Sequence, residues 1–227
     1  MTRKALAQAS GVSERYLAQL EAGAGNISVL LLRKVARAMG VPVENLVREE
    51  APPQKCIALL GLRGAGKSTL GAKLAGSLKV PFVELDREVE KEAGAALGEV
   101  FGMYGQDGFR RFERRALERV LAGNPRAVIA TGGSLVTDPG TYKMLLERCT
   151  CVWLKASPEE HMARVIAQGD MRPFKGINAS GRSSALDEIR TLLADRERLY
   201  RRADLVLDTS GKSTRASFSQ LLSLVQP

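Results

Sequence analysis

Nine consecutive residues, Gly61-Leu62-Arg63-Gly64-Ala65-Gly66-Lys67-Ser68-Thr69, carry the spacing glycine, four residues, glycine-lysine-serine. Glycines let backbone N–H groups turn inward around an anion, and a helix beginning there adds its positive end. The chemistry of such a loop is the cradling of phosphate. Gly61, Gly64, Gly66, Lys67, Ser68 and Thr69 make up the nucleotide-binding set; Lys67 would reach the β- and γ-phosphates, and Ser68 would hold Mg²⁺. A glycine-rich turn in coincidental surroundings is the alternative. The surroundings favour the loop: an apolar run, 57–60, precedes it and a helix-like stretch, 70–78, follows it, as the motif requires.

The elements that would position this loop show in the alternation of the chain. After residue 55, apolar strand-like runs at 56–60, 82–85, 127–130, 149–154 and 205–207 are separated by helical stretches. That alternation predicts an α/β domain with a five-stranded parallel sheet covered by helices on both faces. Before residue 48 every periodic segment is helical. The seam Arg48-Glu49-Glu50-Ala51-Pro52-Pro53-Gln54 contains two consecutive prolines, which cannot continue a helix and favour a stiff extended spacer. The expected organisation is a small all-α module over 1–48, a linker over 49–54 and a P-loop domain over 55–227. The stretch 170–184, rich in Gly, Ser, Arg and Lys, is expected to be a loop, and 216–225 a closing helix.

The 227 residues carry a net charge of +9. This favours polyanionic partners such as DNA, nucleotides or coenzyme A, although a solvated basic surface is the other reading. Cys56, Cys149 and Cys151 form no C-x-x-C pair and lie in apolar runs, as buried reduced thiols would. The single histidine, His161, is expected on the surface of a helix rather than on a metal. No apolar run approaches the roughly 18 residues a membrane span needs, and the N-terminus does not read as a signal peptide. A cytoplasmic protein without a membrane partner is expected.

In the first fifty residues, 4–10 reads as a short helix broken at Gly11, and Ser13 caps a second helix that runs to Glu21. Leu6, Val12, Leu17 and Leu20 are placed to form the inner face, with Ala7 and Gly11 four apart where helices approach closely. Asn26 and Ser28 precede a third helix, 29–39, ended at Gly40. This segment, including Gly11-Val12-Ser13 and Leu20-Glu21-Ala22-Gly23, resembles the helix-turn-helix of the Cro/repressor-type (XRE) regulators. The resemblance implies that the second helix enters the major groove. Ser13, Glu14, Arg15 and Gln19 would then lie toward the DNA, the last three at base edges, while Arg3 and Asn26 would contact phosphates. A helical hairpin that docks on the second domain is the alternative. The family has a helix before the first one here, so the module is expected to lack its first helix and the apolar face of 29–39 to lose a partner.

Past the phosphate loop come Phe82-Val83-Glu84-Leu85-Asp86, with acids two apart at a strand end, then Gly108-Phe109-Arg110-Arg111-Phe112-Glu113 on a helix. Ala130-Thr131-Gly132-Gly133-Ser134, Met171-Arg172-Pro173-Phe174 and Asp195-Arg196-Glu197-Arg198-Leu199-Tyr200 follow. This ordered series resembles shikimate kinase over nearly all of 55–227. The resemblance implies that Asp86 takes a substrate hydroxyl and that Arg110 and Arg196 grip a carboxylate. It also implies that Gly132 and Gly133 let backbone approach the substrate and that Arg172 closes over the transferring phosphoryl group. Lys67, Asp86 and Arg172 would be the catalytic set, with Mg²⁺ and ATP as cofactors. Singly, the same residues are a strand-end cap, surface charges and a plain turn. The chain departs from the family at Glu84, where an aspartate is usual, at Ser134, the third glycine, and at Phe174-Lys175, where the family has paired leucines.

The joining of this helix-turn-helix to this domain, with Ser13-Glu14-Arg15-Tyr16-Leu17-Ala18-Gln19-Leu20-Glu21 running into Gly25-Asn26, resembles the benzoyl-CoA-responsive transcription factors of the BzdR/BoxR type. That resemblance implies a repressor of aromatic degradation that reads operator DNA as a homodimer. Its kinase pocket would bind an effector, benzoyl-CoA, whose ADP-like moiety occupies the phosphate loop. An active shikimate kinase with an appended helical module is the second expectation, and a scaffold that binds only protein the third. A benzoyl thioester offers Arg110, Arg196 and Asp86 neither a carboxylate nor ring hydroxyls, so the sensor requires those groups to be satisfied in another way.

Overall fold

A computed structural model of the chain describes residues 1–47, 55–167 and 182–226, the side chains of 182–184 excepted. All of the expected linker, 49–54, and most of the stretch 170–184, Arg172 included, lie outside the described residues. The chain divides into two compact units, Met1–Pro53 and Gln54–Pro227.

The first unit is helical: α1 (Arg3–Ser10), α2 (Glu14–Glu21), α3 (Val29–Met39) and α4 (Val43–Val47). Its boundaries follow from caps. The side chains of Thr2, Ser13 and Ser28 accept from the amides of Ala5, Tyr16 and Leu31, satisfying donors that a helix start leaves orphaned. Gly11 and Gly40 end α1 and α3 in the left-handed region. Val12, Leu17 and Val35 form the buried centre, packed by Leu6, Leu20, Ile27 and Leu31. A Cβ on Gly11 would meet nothing within 4 Å, so this glycine serves the turn and not a close helix contact. Its φ of 69° is what another residue would resist. Gly11→Ala should therefore cost this unit about 1–2 kcal/mol, read as a lower thermal midpoint of its transition in the whole chain. Val29 and Leu30 are exposed on α3.

The second unit runs β1 (Cys56–Leu60), α5 (Lys67–Leu78), β2 (Phe82–Glu84), α6 (Leu85–Ala93), α7 (Leu97–Gly123), β3 (Val128–Ala130), a short 3-10 turn (Leu135–Thr137), α8 (Pro139–Arg148), β4 (Cys149–Lys155), α9 (Pro158–Ala167), α10 (Arg182–Tyr200), β5 (Leu205–Asp208) and α11 (Thr214–Val225). The five strands form one parallel sheet in the order β2-β3-β1-β4-β5. Side chains alternate between its faces, as the strand period demands. Cys56, Ala58 and Leu60 join one core with Ile129, Cys151, Trp153 and the buried sides of α6, α7 and α8; Leu59, Val128, Val152 and Leu154 join the other with α5 and α11. All three cysteines are buried and free.

From β1 the chain goes to one side for β3 and β2 and to the other for β4 and β5. The crevice outside the carboxyl end of β1 is therefore the switch point where open α/β sheets bind ligands. Two expectations need correction. Asp86 lies in the first turn of α6, because the helix begins directly after Glu84 with no intervening loop. His161 is buried at 1% exposure, because the phosphate loop packs onto its face of α9. Among the described residues no helix is long and apolar enough to cross a membrane.

Candidate functional site

The phosphate loop leaves β1 at Gly61 and enters α5 at Lys67. Three of its residues adopt positive φ, Gly61 at 141°, Gly64 at 79° and Gly66 at 91°. A Cβ on Gly61 would lie 2.6 Å from the Leu154 carbonyl oxygen, and one on Gly64 would lie 2.6 Å from that of His161. At both positions glycine is required twice over, by conformation and by space. Lys67 Nζ donates to the carbonyls of Gly61 (2.8 Å) and Leu62 (3.0 Å), folding its charge into the loop. Ser68 and Thr69 are exposed on the first turn of α5.

A cleft of about 310 Å³ opens beside the loop. Its lining includes Lys67 and Ser68, the backbone turn Gly132 and Gly133 with Asp86, and the apolar residues Leu97, Phe101 and Phe109. Phe101 and Phe109 stack at 4.4 Å between centroids. Glu84, at the end of β2, lines the same cleft. α7 is broken at Gly105, whose φ of 63° and ψ of −167° interrupt the helix between these two aromatic residues.

Arg110 and Arg196 hydrogen-bond the backbone of Ser134 and Gly133, two residues that line the cleft. Arg110 pairs with Glu113 at 2.5 Å and donates to the Ser134 carbonyl and Thr137 Oγ1, both at 2.9 Å. Arg196 donates to the Gly133 carbonyl at 3.0 Å, and so does the Tyr200 hydroxyl at 2.6 Å. A Cβ on Gly132 would meet Asp86 Oδ1 at 3.0 Å and Glu113 Oε1 at 3.4 Å, so two carboxylates converge on this backbone. Sequence reasoning quoted Glu113 and assigned it nothing. Its place three residues after Arg110 on one helix was the available signal.

Glu113 is fully buried, and its Oε1 has no hydrogen-bond partner. Burial first, then the nearby Asp86 and Asp138, raise its pKa to about 7 against the pull of Arg110. His161 shifts the other way, to about 4, because burial and the charges of Lys67 and Arg164 oppose protonation more than the Arg63 carbonyl and Glu160 favour it. The linked stabilities have opposite signs. The His161 contribution is fully present above pH 6.5 and is lost as pH falls toward 4; the Glu113 contribution is present below pH 4.5 and is lost as pH rises through 7. Between pH 4.5 and 6.5 the two slopes offset each other. Glu113→Gln should uncover the histidine alone, so that unfolding free energy rises with pH by about 1.4 kcal/mol per unit across that window. Denaturant titrations at several pH values would measure the slope, and a flat profile in the variant would refute the assignment.

In the first unit, Ser13, Glu14, Arg15 and Gln19 are all exposed on or before α2. Arg3 pairs with Glu21 at 2.6 Å, and the Asn26 carbonyl accepts from the Tyr16 hydroxyl. Arg15 and Gln19 lie one helical turn apart on α2.

A glycine loop between β1 and α5 at the switch point of a parallel sheet defines a P-loop phosphate-binding domain, here in one chain with a capped helix-turn-helix. The family profile for shikimate kinase matches residues 63–226, and a helix-turn-helix profile matches residues 1–46. The shikimate kinase of Zymomonas mobilis is 39% identical over 140 residues, 62% of this chain and 79% of that one. That of Francisella philomiragia is 37% identical over 162 residues, 71% of this chain and 89% of that one. The structure of shikimate kinase from Acinetobacter baumannii in complex with shikimate superposes with a TM-score of 0.67 at 28% identity, covering 76% of this chain and 93% of that one. The chain belongs to the shikimate kinase family and carries an N-terminal helix-turn-helix domain.

Proposed function

We propose that this chain is a ligand-responsive DNA-binding regulator, a repressor of aromatic-compound degradation, whose shikimate kinase-like domain binds benzoyl-CoA. The observation that carries this reading is the internal satisfaction of Arg110 beside the cleft. Unpaired buried polar groups cost about 1–3 kcal/mol each, so an apolar aryl group would be rejected by free guanidinium groups. Arg110 bonds to Glu113, Ser134 and Thr137 and so needs no substrate carboxylate, while Arg196 commits one donor to the Gly133 carbonyl. In the cleft, Leu97, Phe101 and Phe109 offer an apolar surface to a planar ring. The phosphate loop, with Lys67, takes the diphosphate of the coenzyme A moiety. The exposed α2 face, with Arg15 and Gln19, reads the operator. A homodimer places two such helices about 34 Å apart, one turn of DNA. The effector acts by binding more tightly to the conformation with weaker operator affinity.

A specific observation favours a second reading, active shikimate kinase. Asp86 Oδ1 and Glu113 Oε1 converge beside Gly132, an arrangement suited to hydroxyl groups, and Glu113 Oε1 has an open acceptor position. The glycine cradle and Lys67 fit the phosphates of ATP. The Ser68 hydroxyl, with Glu84 and Asp86 lining the same cleft, suits Mg²⁺, which binds through few protein ligands plus phosphate oxygens. Mg²⁺ bound there would neutralise charge on the transferring phosphoryl group. Asp86 would orient and deprotonate the attacking hydroxyl; Arg172, the expected arginine over the phosphoryl group, lies outside the described residues.

Thermal unfolding separates the two readings. A ligand that binds only the folded state adds about 2.7 kcal/mol at 100 times its Kd. A raised midpoint with benzoyl-CoA alone supports the sensor. A midpoint that responds only to shikimate with MgATP, together with turnover, replaces it with the kinase.

A further inference from the structure

A loop that turns its N–H groups inward must turn carbonyl oxygens away from the anion, and each buried carbonyl then needs a donor. The four carbonyls 61–64 meet donors from within the loop, where the Ala65 amide bonds the Leu62 carbonyl at 3.1 Å, from Lys67 and from α9. Lys67 serves Gly61 and Leu62 at 2.8 and 3.0 Å. α9 serves the other two: His161 Nδ1 lies 2.8 Å from the Arg63 carbonyl, and Arg164 lies 3.5 Å from that of Gly64. A carbonyl only accepts, so His161 is the Nδ1–H tautomer. Its Nε2 is then a buried acceptor with no hydrogen-bond partner.

We infer that His161, which belongs to none of the recognised binding motifs, is a positioning residue for the phosphate loop: its Nδ1–H fixes the Arg63 carbonyl outward, so that the following amides face the anion. The inference rests on the phosphate-loop reading and holds for a sensor or a kinase alike. When phosphate is bound, Lys67 has to leave the Gly61 and Leu62 carbonyls to meet it; the Ala65 amide stays on Leu62, and the α9 side chains are the donors that stay on Arg63 and Gly64. The backbone contact is equally close, because a Cβ on Gly64 would lie 2.6 Å from the His161 carbonyl oxygen. Leu62 packs with Val165, Ala185 and Ile189, which completes a rigid seat for the loop tip on α9 and α10. An ordinary buried histidine of the core would also leave the surface, but it would have no reason to spend its one satisfied nitrogen on this carbonyl.

The test uses the whole chain with MgATP and, separately, benzoyl-CoA as probes, measured by calorimetry. His161→Leu should weaken the bound probe about tenfold, and His161→Asn, which keeps a donor near the Nδ1 position, should stay within about threefold of wild type. Because leucine also removes the unpaired Nε2, the thermal midpoint should change little while affinity falls. A purely structural role gives the opposite split, a lower midpoint with unchanged affinity, and overturns the inference. Since the chain has one histidine, ring nitrogen NMR of the unaltered protein gives an independent reading without any variant. The inference expects an Nδ1–H tautomer whose resonances move when the probe binds. An Nε2–H tautomer, or a ring insensitive to bound probe, overturns it. A wild-type chain that binds neither probe overturns the phosphate-loop reading itself.

Discussion

Lys67→Ala weakens both benzoyl-CoA and MgATP binding by at least 10- to 150-fold, the equivalent of one charge-assisted hydrogen bond of about 1.5–3 kcal/mol. The lysine carries a full positive charge to the phosphate oxygens, and nothing else on α5 replaces it. A second effect acts in the unliganded loop. There Lys67 ties the Gly61 and Leu62 carbonyls, so alanine also loosens the loop and adds an ordering cost to binding. Isothermal titration of wild type and variant measures the sum. Equal affinities would mean that the phosphates bind elsewhere, and the cleft beside Asp86 would lose its claim as the ligand site. Operator binding without ligand should not change, since this lysine belongs to the other unit.

The second large effect is on DNA. Arg15→Ala should lower affinity for the preferred operator by about 5- to 150-fold, from the roughly 1–3 kcal/mol of one good base contact. Affinity for unrelated DNA should move far less, because non-specific binding comes from phosphates. Arg15 is exposed on the outer side of α2, while Leu17 of the same helix is buried, so the substitution removes a reading group without opening the core. Arg3→Ala is the contrast. Arg3 is tied to Glu21; if it contacts a phosphate as proposed, its loss should weaken all sequences alike and lower the salt slope. Fluorescence anisotropy on a sequence selected from random DNA, and on a scrambled one, distinguishes the cases. Equal loss on both by Arg15→Ala would remove α2 from the major groove.

The residues whose roles are set by local backbone demands were legible in the sequence. The loop spacing forces the backbone of Gly61, Gly64 and Gly66, and Ser13 and Ser28 announce helix starts because orphan amides need an acceptor. Alternating apolar runs point to the parallel sheet because its central strands β1, β3 and β4 are largely buried on both faces. Ends were less legible: Leu85 continues the apolar run of β2, yet it starts α6, and that moves Asp86 into a helix turn. The functional partners least visible were those made by packing. One histidine on an amphipathic helix looks like surface until the loop is known to lie on it. Arg110 reads in sequence as a carboxylate grip or a surface charge; its pairing with Glu113 and its bonds to the 3-10 turn region come from packing. The break at Gly105 had no signal beyond a run of glycines, because glycines in helices are tolerated as often as they hinge.

The most direct test of the central claim is release of DNA by the effector. The full-length chain is bound to its selected operator and titrated with benzoyl-CoA, with coenzyme A, benzoate and MgATP plus shikimate as parallel series. The account predicts that benzoyl-CoA lowers operator affinity at a concentration that matches its own Kd, with no consumption of the ligand. It predicts that Lys67→Ala binds the operator normally but no longer responds. Operator binding that ignores benzoyl-CoA, alongside phosphorylation of shikimate at the expense of ATP, would contradict it.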